Sequence, residues 1–179
     1  MKSEQPVNLQ WPTADTEIRA LKAGDEVFLS GTIYSARDQA HKRMTELLQS
    51  GKPLPFRIEN SCIYYMGPTP TPPGEVIGSC GPTTASRMDR FTPELLDAGL
   101  AGIIGKGNRN KAVVEAIRRN GAVYFYAYGG CGALYADRIV SAKTVAFPDL
   151  GPEAVRELQV KDFPVIVAID SRGKSIFEY

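Results

Sequence analysis

Apolar and polar positions along the chain fall into short, mostly strand-length blocks separated by turn residues. Glu26-Val27-Phe28-Leu29-Ser30-Gly31-Thr32-Ile33-Tyr34 mixes apolar and β-branched residues and predicts a strand. Asp38 then precedes the run Gln39 to Leu48, and Gly51 follows, the pattern of an N-cap, a helix and a C′ glycine. Cys62 to Met66 reads as a short buried strand, and Thr92-Pro93-Glu94 as the capped start of a short helix closed by Gly99. Ala101 to Ile104 predicts a strand and Gly105-Lys106-Gly107-Asn108-Arg109 a tight turn. Lys111 to Arg119 places Ala112, Val113, Ala116 and Ile117 on one helical face, ended by Asn120-Gly121. Further strands are expected over Val123–Ala127, Ile139–Phe147, Pro164–Asp170 and Ser175–Tyr179. Residues 1–15 lack periodicity and read as an extended arm. The proline-rich stretch from Gly67 to Gly74 is a flexible linker or a rigid surface loop, and unchanged composition across it favours the loop. Strands and helices mix without a repeat, so the fold class is α/β or α+β around a central sheet.

Length and composition narrow the picture little. The 179 residues suffice for one domain over 1–179, and 43% hydrophobic with 23% charged residues is ordinary for a soluble protein. The balance of 21 basic and 20 acidic residues gives no electrostatic support for nucleic-acid or membrane-surface binding, so an anion site must be built locally. The first residues lack a signal-peptide run and no stretch approaches the roughly 18 apolar residues of a membrane helix, so a cytoplasmic protein is expected. Cys62, Cys80 and Cys131 are odd in number, far apart and without a Cys-x-x-Cys pair, in keeping with that compartment. Their spacing matches no usual metal motif. Buried thiols are the favoured reading, although distant ligands can converge in a fold.

Three spots place polar or cationic groups at the edge of a predicted element. Arg37 stands at the mouth of the strand-to-helix turn containing Asp38, where a helix N-terminus and a guanidinium attract anions; a solvated arginine beside a cap is the plainer reading. In Ser79 to Asp89, Gly81-Pro82 feeds Thr83-Thr84, and Arg87 would lie one helical turn beyond Thr83 on the same face. A hydroxyl and a guanidinium so placed suit a carboxylate, as against a capping threonine with a surface arginine. In the third, Gly105 and Gly107 flank Lys106, which lets backbone approach a ligand while the lysine supplies charge; it is neither a Walker A loop nor a dinucleotide fingerprint. His41, the only histidine, reads as structural before catalytic. Gly129-Gly130-Cys131-Gly132-Ala133 suits close backbone packing.

Together these blocks resemble the β subunit, or C-terminal domain, of class I iron–sulfur hydro-lyases, fumarase and L-tartrate dehydratase. The residues carrying the resemblance are Ala36 to Arg43, Gly81 to Asp89, Gly105 to Arg109, Phe147 to Ala154 and Val160 to Pro164, spread over nearly the whole chain. Ser86, where many relatives have glycine, and Cys131-Gly132 depart from the common pattern.

The resemblance implies a swivelling β/β/α domain that pairs with an α subunit carrying a [4Fe-4S] cluster, in an (αβ)2 assembly. It implies that the cluster ligands belong to that partner and that this chain binds no metal itself. Thr83 is expected as the base, and Arg37, Arg87 and Lys106 as the cations holding a small dicarboxylate. Asp38, Gly81, Pro82, Thr84, Gly105 and Gly107 are expected to support them. Hydration of fumarate to L-malate is the expected reaction, tartrate dehydration the alternative, and a non-catalytic dicarboxylate-binding module the reading from another class.

Overall fold

The computed structural model describes residues 5–177. In chain order they form β1 (Val7–Trp11), α1 (Asp15–Ala20), β2 (Glu26–Ser35), α2 (Asp38–Gln49), β3 (Cys62–Tyr64), a 3-10 turn (Ala85–Met88), α3 (Thr92–Asp97), β4 (Gly102–Gly105), α4 (Lys111–Asn120), β5 (Val123–Tyr126), α5 (Gly132–Asp137), β6 (Ile139–Ala146), a second 3-10 segment (Pro148–Glu153) and β7 (Val155–Ile169). The class is mixed α/β around a seven-stranded sheet.

β1 through β5 are parallel neighbours in chain order. β7 runs antiparallel to both β5 and β2, so β2, β3, β4, β5 and β7 close into a ring, with β1 and β6 as flanking strands. Closure leaves none of the five with an open edge. Parallel pairing also brings the carboxyl ends of β2, β3 and β4 to one side, where the connecting loops must gather.

Alternation along the strands sorts side chains into two cores. Cys62, Tyr64, Ile104, Val123, Phe125, Leu158 and Val165 share one with Leu9 and Trp11. Ile63, Ile103 and Tyr124 point the other way, against Ala40 and Met44 of α2, Leu95 and Leu96 of α3, and Val113, Ala116 and Ile117 of α4. Helix α4 keeps the predicted boundaries: Asn110 caps it by accepting from the Val113 amide at 2.9 Å, and Gly121 ends it in the left-handed region.

Four segments differ from expectation. The stretch 1–15 expected as an arm carries β1, which pairs with β2 and buries Leu9 and Trp11, and a short helix α1 without a sequence expectation follows it. Val7, Leu9 and Trp11 alternate with Asn8 and Gln10 as a strand requires, but over only five residues between Pro6 and Pro12. β7 is twice the predicted length, because the exposed pair Lys161 and Asp162, with Asp162 at φ +50°, interrupts its apolar pattern before Pro164. Ser175 makes a single bridge to Ile169 where a last strand was expected, and residues 178–179 lie outside the described residues. Both predicted caps move by one residue: Arg37 precedes α2 and Phe91 precedes α3, because the polar groups of Asp38 and Thr92 are engaged elsewhere.

Trp11 fixes the N-terminal strand to the ring. Its Nε1 donates to the Asn60 carbonyl at 3.1 Å, and its ring meets Phe125 edge-on with centroids 6.3 Å apart. Gly102 makes room for it: a Cβ there would stand 2.6 Å from Trp11 Cη2 and 3.0 Å from Cys62 Sγ. Gly102→Ala is therefore expected to destabilise the protein by roughly 1–3 kcal/mol through overpacking. Urea unfolding checks this, and an unchanged midpoint would show that Trp11 is not confined against Gly102.

Candidate functional site

Arg37 lies two residues beyond β2, Thr83 lies in the segment after β3, and Lys106 immediately follows β4. All three leave the carboxyl ends of adjacent parallel strands. Backbone pairing then draws the second and third together. The Thr83 amide donates to the Tyr65 carbonyl at 2.7 Å, Thr84 bridges in parallel to Lys106, and the Ala85 amide donates to the Lys106 carbonyl at 2.8 Å. Thr83 thus lies on an extension of the sheet and precedes the 3-10 turn that carries Arg87. The helical same-face relation expected for Thr83 and Arg87 does not hold; Thr83 is taken up by the pairing with Tyr65 and Lys106.

Arg87 and Arg37 converge on Asp38. Arg87 Nε donates to Asp38 Oδ1 at 3.0 Å, while Arg37 Nε stands 3.8 Å from Asp38 Oδ2 and 3.7 Å from Glu153 Oε1. Neither of the longer approaches is a hydrogen bond, and both Arg37 Nε and Asp38 Oδ2 are buried atoms without a hydrogen-bond partner. The rim therefore holds spare hydrogen-bonding capacity. The Arg87 side chain remains 52% exposed, so its pair with Asp38 contributes at most about 1 kcal/mol. A ligand carboxylate can displace such a pair at little cost.

The supporting residues are spread: Asp38 belongs to the rim and Thr84 is exposed. Pro82 is buried and Gly81 half-buried beside Gly132. Gly105 ends β4 in the core, and the Gly107 carbonyl accepts from the Tyr124 hydroxyl at 2.8 Å. Close packing in the glycine-rich loop is confined to Gly132, where a Cβ would overlap Ser79 and crowd the Cys80 and Gly81 amides, whereas Gly130 faces open space. Gly129 also borders Lys106, whose Nζ would be 3.8 Å from a Cβ there.

Two features were not assigned from the sequence. Glu153 reaches Arg37 from the segment before β7, far along the chain. Arg109 and Asp89, which end two of the motif blocks, form a buried pair with Nε to Oδ1 at 2.7 Å. Opposite charges closing two such blocks were the available signal.

His41 is fully buried, its Nδ1 lying 2.8 Å from the Arg37 carbonyl and its ring edge-on to Tyr65. It lies under the rim and cannot meet a ligand there. Cys62 and Cys80 are buried, and burial alone raises both thiols, Cys80 to about 12. Among the described residues no group of three or more His, Cys, Asp or Glu side chains is placed to hold a metal ion, and no helix is long and apolar enough to cross a membrane.

The fold is mixed α/β, with Arg37 and Lys106 just past two strand ends and Thr83 and Arg87 on the segment paired to Lys106. The chain belongs to the family described as the fumarase C-terminus, whose model matches residues 1–179. It is 43% identical over 168 residues to the "Putative L(+)-tartrate dehydratase subunit beta" of Methanocaldococcus jannaschii, covering 90% of this chain and 86% of that protein. It is 42% identical over 156 residues to "Fumarate hydratase 2" of Leishmania major, covering 86% of this chain. With "Fumarate hydratase class I, anaerobic" of Escherichia coli it shares 41% over 152 residues, 84% of this chain. The chain spans 28% of the length of each of these two fumarate hydratases.

Burial lowers the His41 pKa from its ordinary 6.5 to about 4; the Arg37 carbonyl opposes the shift and the Arg109 charge adds to it. With the folded value below the unfolded one, the stabilisation from neutral His41 is complete above pH 6.5 and is lost as pH falls through 4. The full span corresponds to roughly 3 kcal/mol. His41→Gln is expected to flatten the fall in urea stability between those pH values; an equally steep fall in wild type and variant would contradict it.

Proposed function

We propose that residues 1–179 act as a single swivelling β/β/α domain with a proline-rich surface loop, the cytoplasmic β subunit of a hydro-lyase that reversibly hydrates fumarate to L-malate. Its α subunit carries a [4Fe-4S] cluster, in an (αβ)2 assembly. The observation that carries this reading is that Arg37 and Arg87 converge on Asp38 while the segment bearing Thr83 and Arg87 pairs through its backbone with Lys106. Two carboxylates on a four-carbon substrate need at least two separated cations, and these residues supply three.

The chemistry asks for that set. In dehydration, Thr83 takes a proton from the carbon beside the one bearing the hydroxyl, the carbon–hydrogen electron pair becomes the double bond, and the hydroxyl departs with its bonding pair. Charge develops on a carbon next to a carboxylate, and fixed cations must already face it. A threonine hydroxyl is a weak base unless positive charge lowers its pKa, and Lys106 is paired to its segment while Arg87 follows it by one short turn. A Lewis acid would ease departure of the hydroxyl, and this reading gives that role to the partner's cluster. An open rim with Arg87 half-exposed also leaves the cations screened by water, and a second chain closing over it would strengthen them.

Tartrate is the second reading. It is favoured by the similarity to a separately encoded β subunit, of which 86% is covered. Purification with the protein encoded beside it, followed by assay on fumarate, malate and tartrate, tests both. Brisk oxaloacetate formation from tartrate without malate formation reverses the order. Tight dicarboxylate binding by the chain alone, with no iron–sulfur partner, supports a binding module instead.

In the active complex, Thr83→Ala is expected to lower kcat by ~10²–10⁴-fold while KM changes little, because the cations remain; near-normal kcat removes Thr83 from proton transfer. Arg87→Lys is expected to lower kcat/KM by roughly tenfold or more, since a lysine cannot form the bidentate contact. Unchanged kcat/KM would argue against a carboxylate at Arg87.

A further inference from the structure

We propose that Asp89 and Arg109 form a positioning pair that sets the distance between the Arg87 turn and the Lys106 turn. This inference rests on the hydro-lyase reading above.

Arg109 closes the five-residue turn that begins at Gly105, and its side chain is 0% exposed. Nε donates to Asp89 Oδ1 at 2.7 Å, and Nη2 donates to Thr92 Oγ1 at 2.8 Å and to the Tyr65 hydroxyl at 3.3 Å. The guanidinium carbon lies 5.3 Å from the Tyr65 ring centre and 4.9 Å from that of Tyr124. Only Nη1 lacks a hydrogen-bond partner.

Asp89 is the residue immediately after the 3-10 turn that carries Arg87. Its second oxygen accepts from the Asn110 amide at 2.8 Å, at the residue that caps α4. Asp89 thus binds the end of the Lys106 turn twice, through Arg109 and through Asn110. At the turn's other end, Thr84 bridges to Lys106. The two segments that contribute Thr83, Arg87 and Lys106 are therefore tied together in two places, once by backbone pairing and once by a buried ion pair.

Both charges are consumed internally, so neither residue has a face to offer a substrate. Stability alone does not call for them. Well-packed apolar residues often replace a buried ion pair without loss, because desolvation offsets most of the attraction. What an apolar pair cannot reproduce is the directional set of four hydrogen bonds that fixes where each turn sits.

The test uses the complex with its partner subunit. Asp89→Leu/Arg109→Met is expected to keep a Tm near wild type yet lower kcat/KM for the dicarboxylate by ~10²-fold, the cost of an ångström-scale misplacement. Val165→Ala, in the other core, is the control for lost stability and should stay within about threefold. A folded double variant with kcat/KM near wild type overturns the proposal. So does a loss no larger than a control of matching Tm.

Should the double variant fail to fold, or the wild-type complex turn over neither malate nor tartrate, amide exchange in Asp89→Asn still decides. Faster exchange in 83–88 and 105–110 together supports the pair. Acceleration in one segment alone, or in neither, overturns it. Absence of wild-type turnover would count against the hydro-lyase reading and leave that exchange result standing.

Discussion

Parallel pairing of β2, β3 and β4 is the constraint on which everything else in this chain depends. Residues separated by dozens of positions, Arg37, Thr83 and Lys106, share one rim because their strands run the same way and end at the same level. Ring closure through β7 keeps those strands from sliding, since β7 pairs with both β2 and β5. The two cores divide the labour. One fills the sheet face that holds Trp11, and the other seats α2, α3 and α4 beneath the loops.

Above this frame the interactions grade from rigid to exchangeable. Arg109 and Asp89 lie in the core with their hydrogen bonds directed inward. Arg87 and Asp38 form a half-exposed pair that contributes little and is easily displaced. A binding site needs both: fixed turns to hold distances, and cations whose resting partners release them. The buried unpartnered atoms Arg37 Nε and Asp38 Oδ2 mark where the rim is incompletely satisfied by the chain itself.

Much of this was legible in the sequence because local chemistry and tertiary role coincide. Helix α4 announced itself by its apolar face and terminal glycine, and the turn at Gly105 to Arg109 by its two glycines. The rim residues were legible as blocks, through resemblance to a family to which the chain proves to belong. What escaped depended on distant partners. β1 alternates apolar Val7, Leu9 and Trp11 with polar Asn8 and Gln10, but so short a run between two prolines becomes a strand only through its pairing with β2. The first half of β7 looks too charged until its pairing with β2 is known. Thr83 was expected on a helix because the spacing to Arg87 suits one, whereas pairing to Tyr65 and Lys106 draws it into the sheet. Arg109 drew no role from the sequence, where it only closed the turn around Lys106; burial and its pairing with Asp89 set it apart.

The central claim is that cations from three strand ends serve one doubly negative ligand. Side-chain nitrogen NMR of the assembled complex, titrated with a non-reacting saturated four-carbon dicarboxylate, examines it directly. Arg37, Arg87 and Lys106 should shift together along a single binding curve with one Kd. Separate curves, or a response confined to one of the three, would contradict the account.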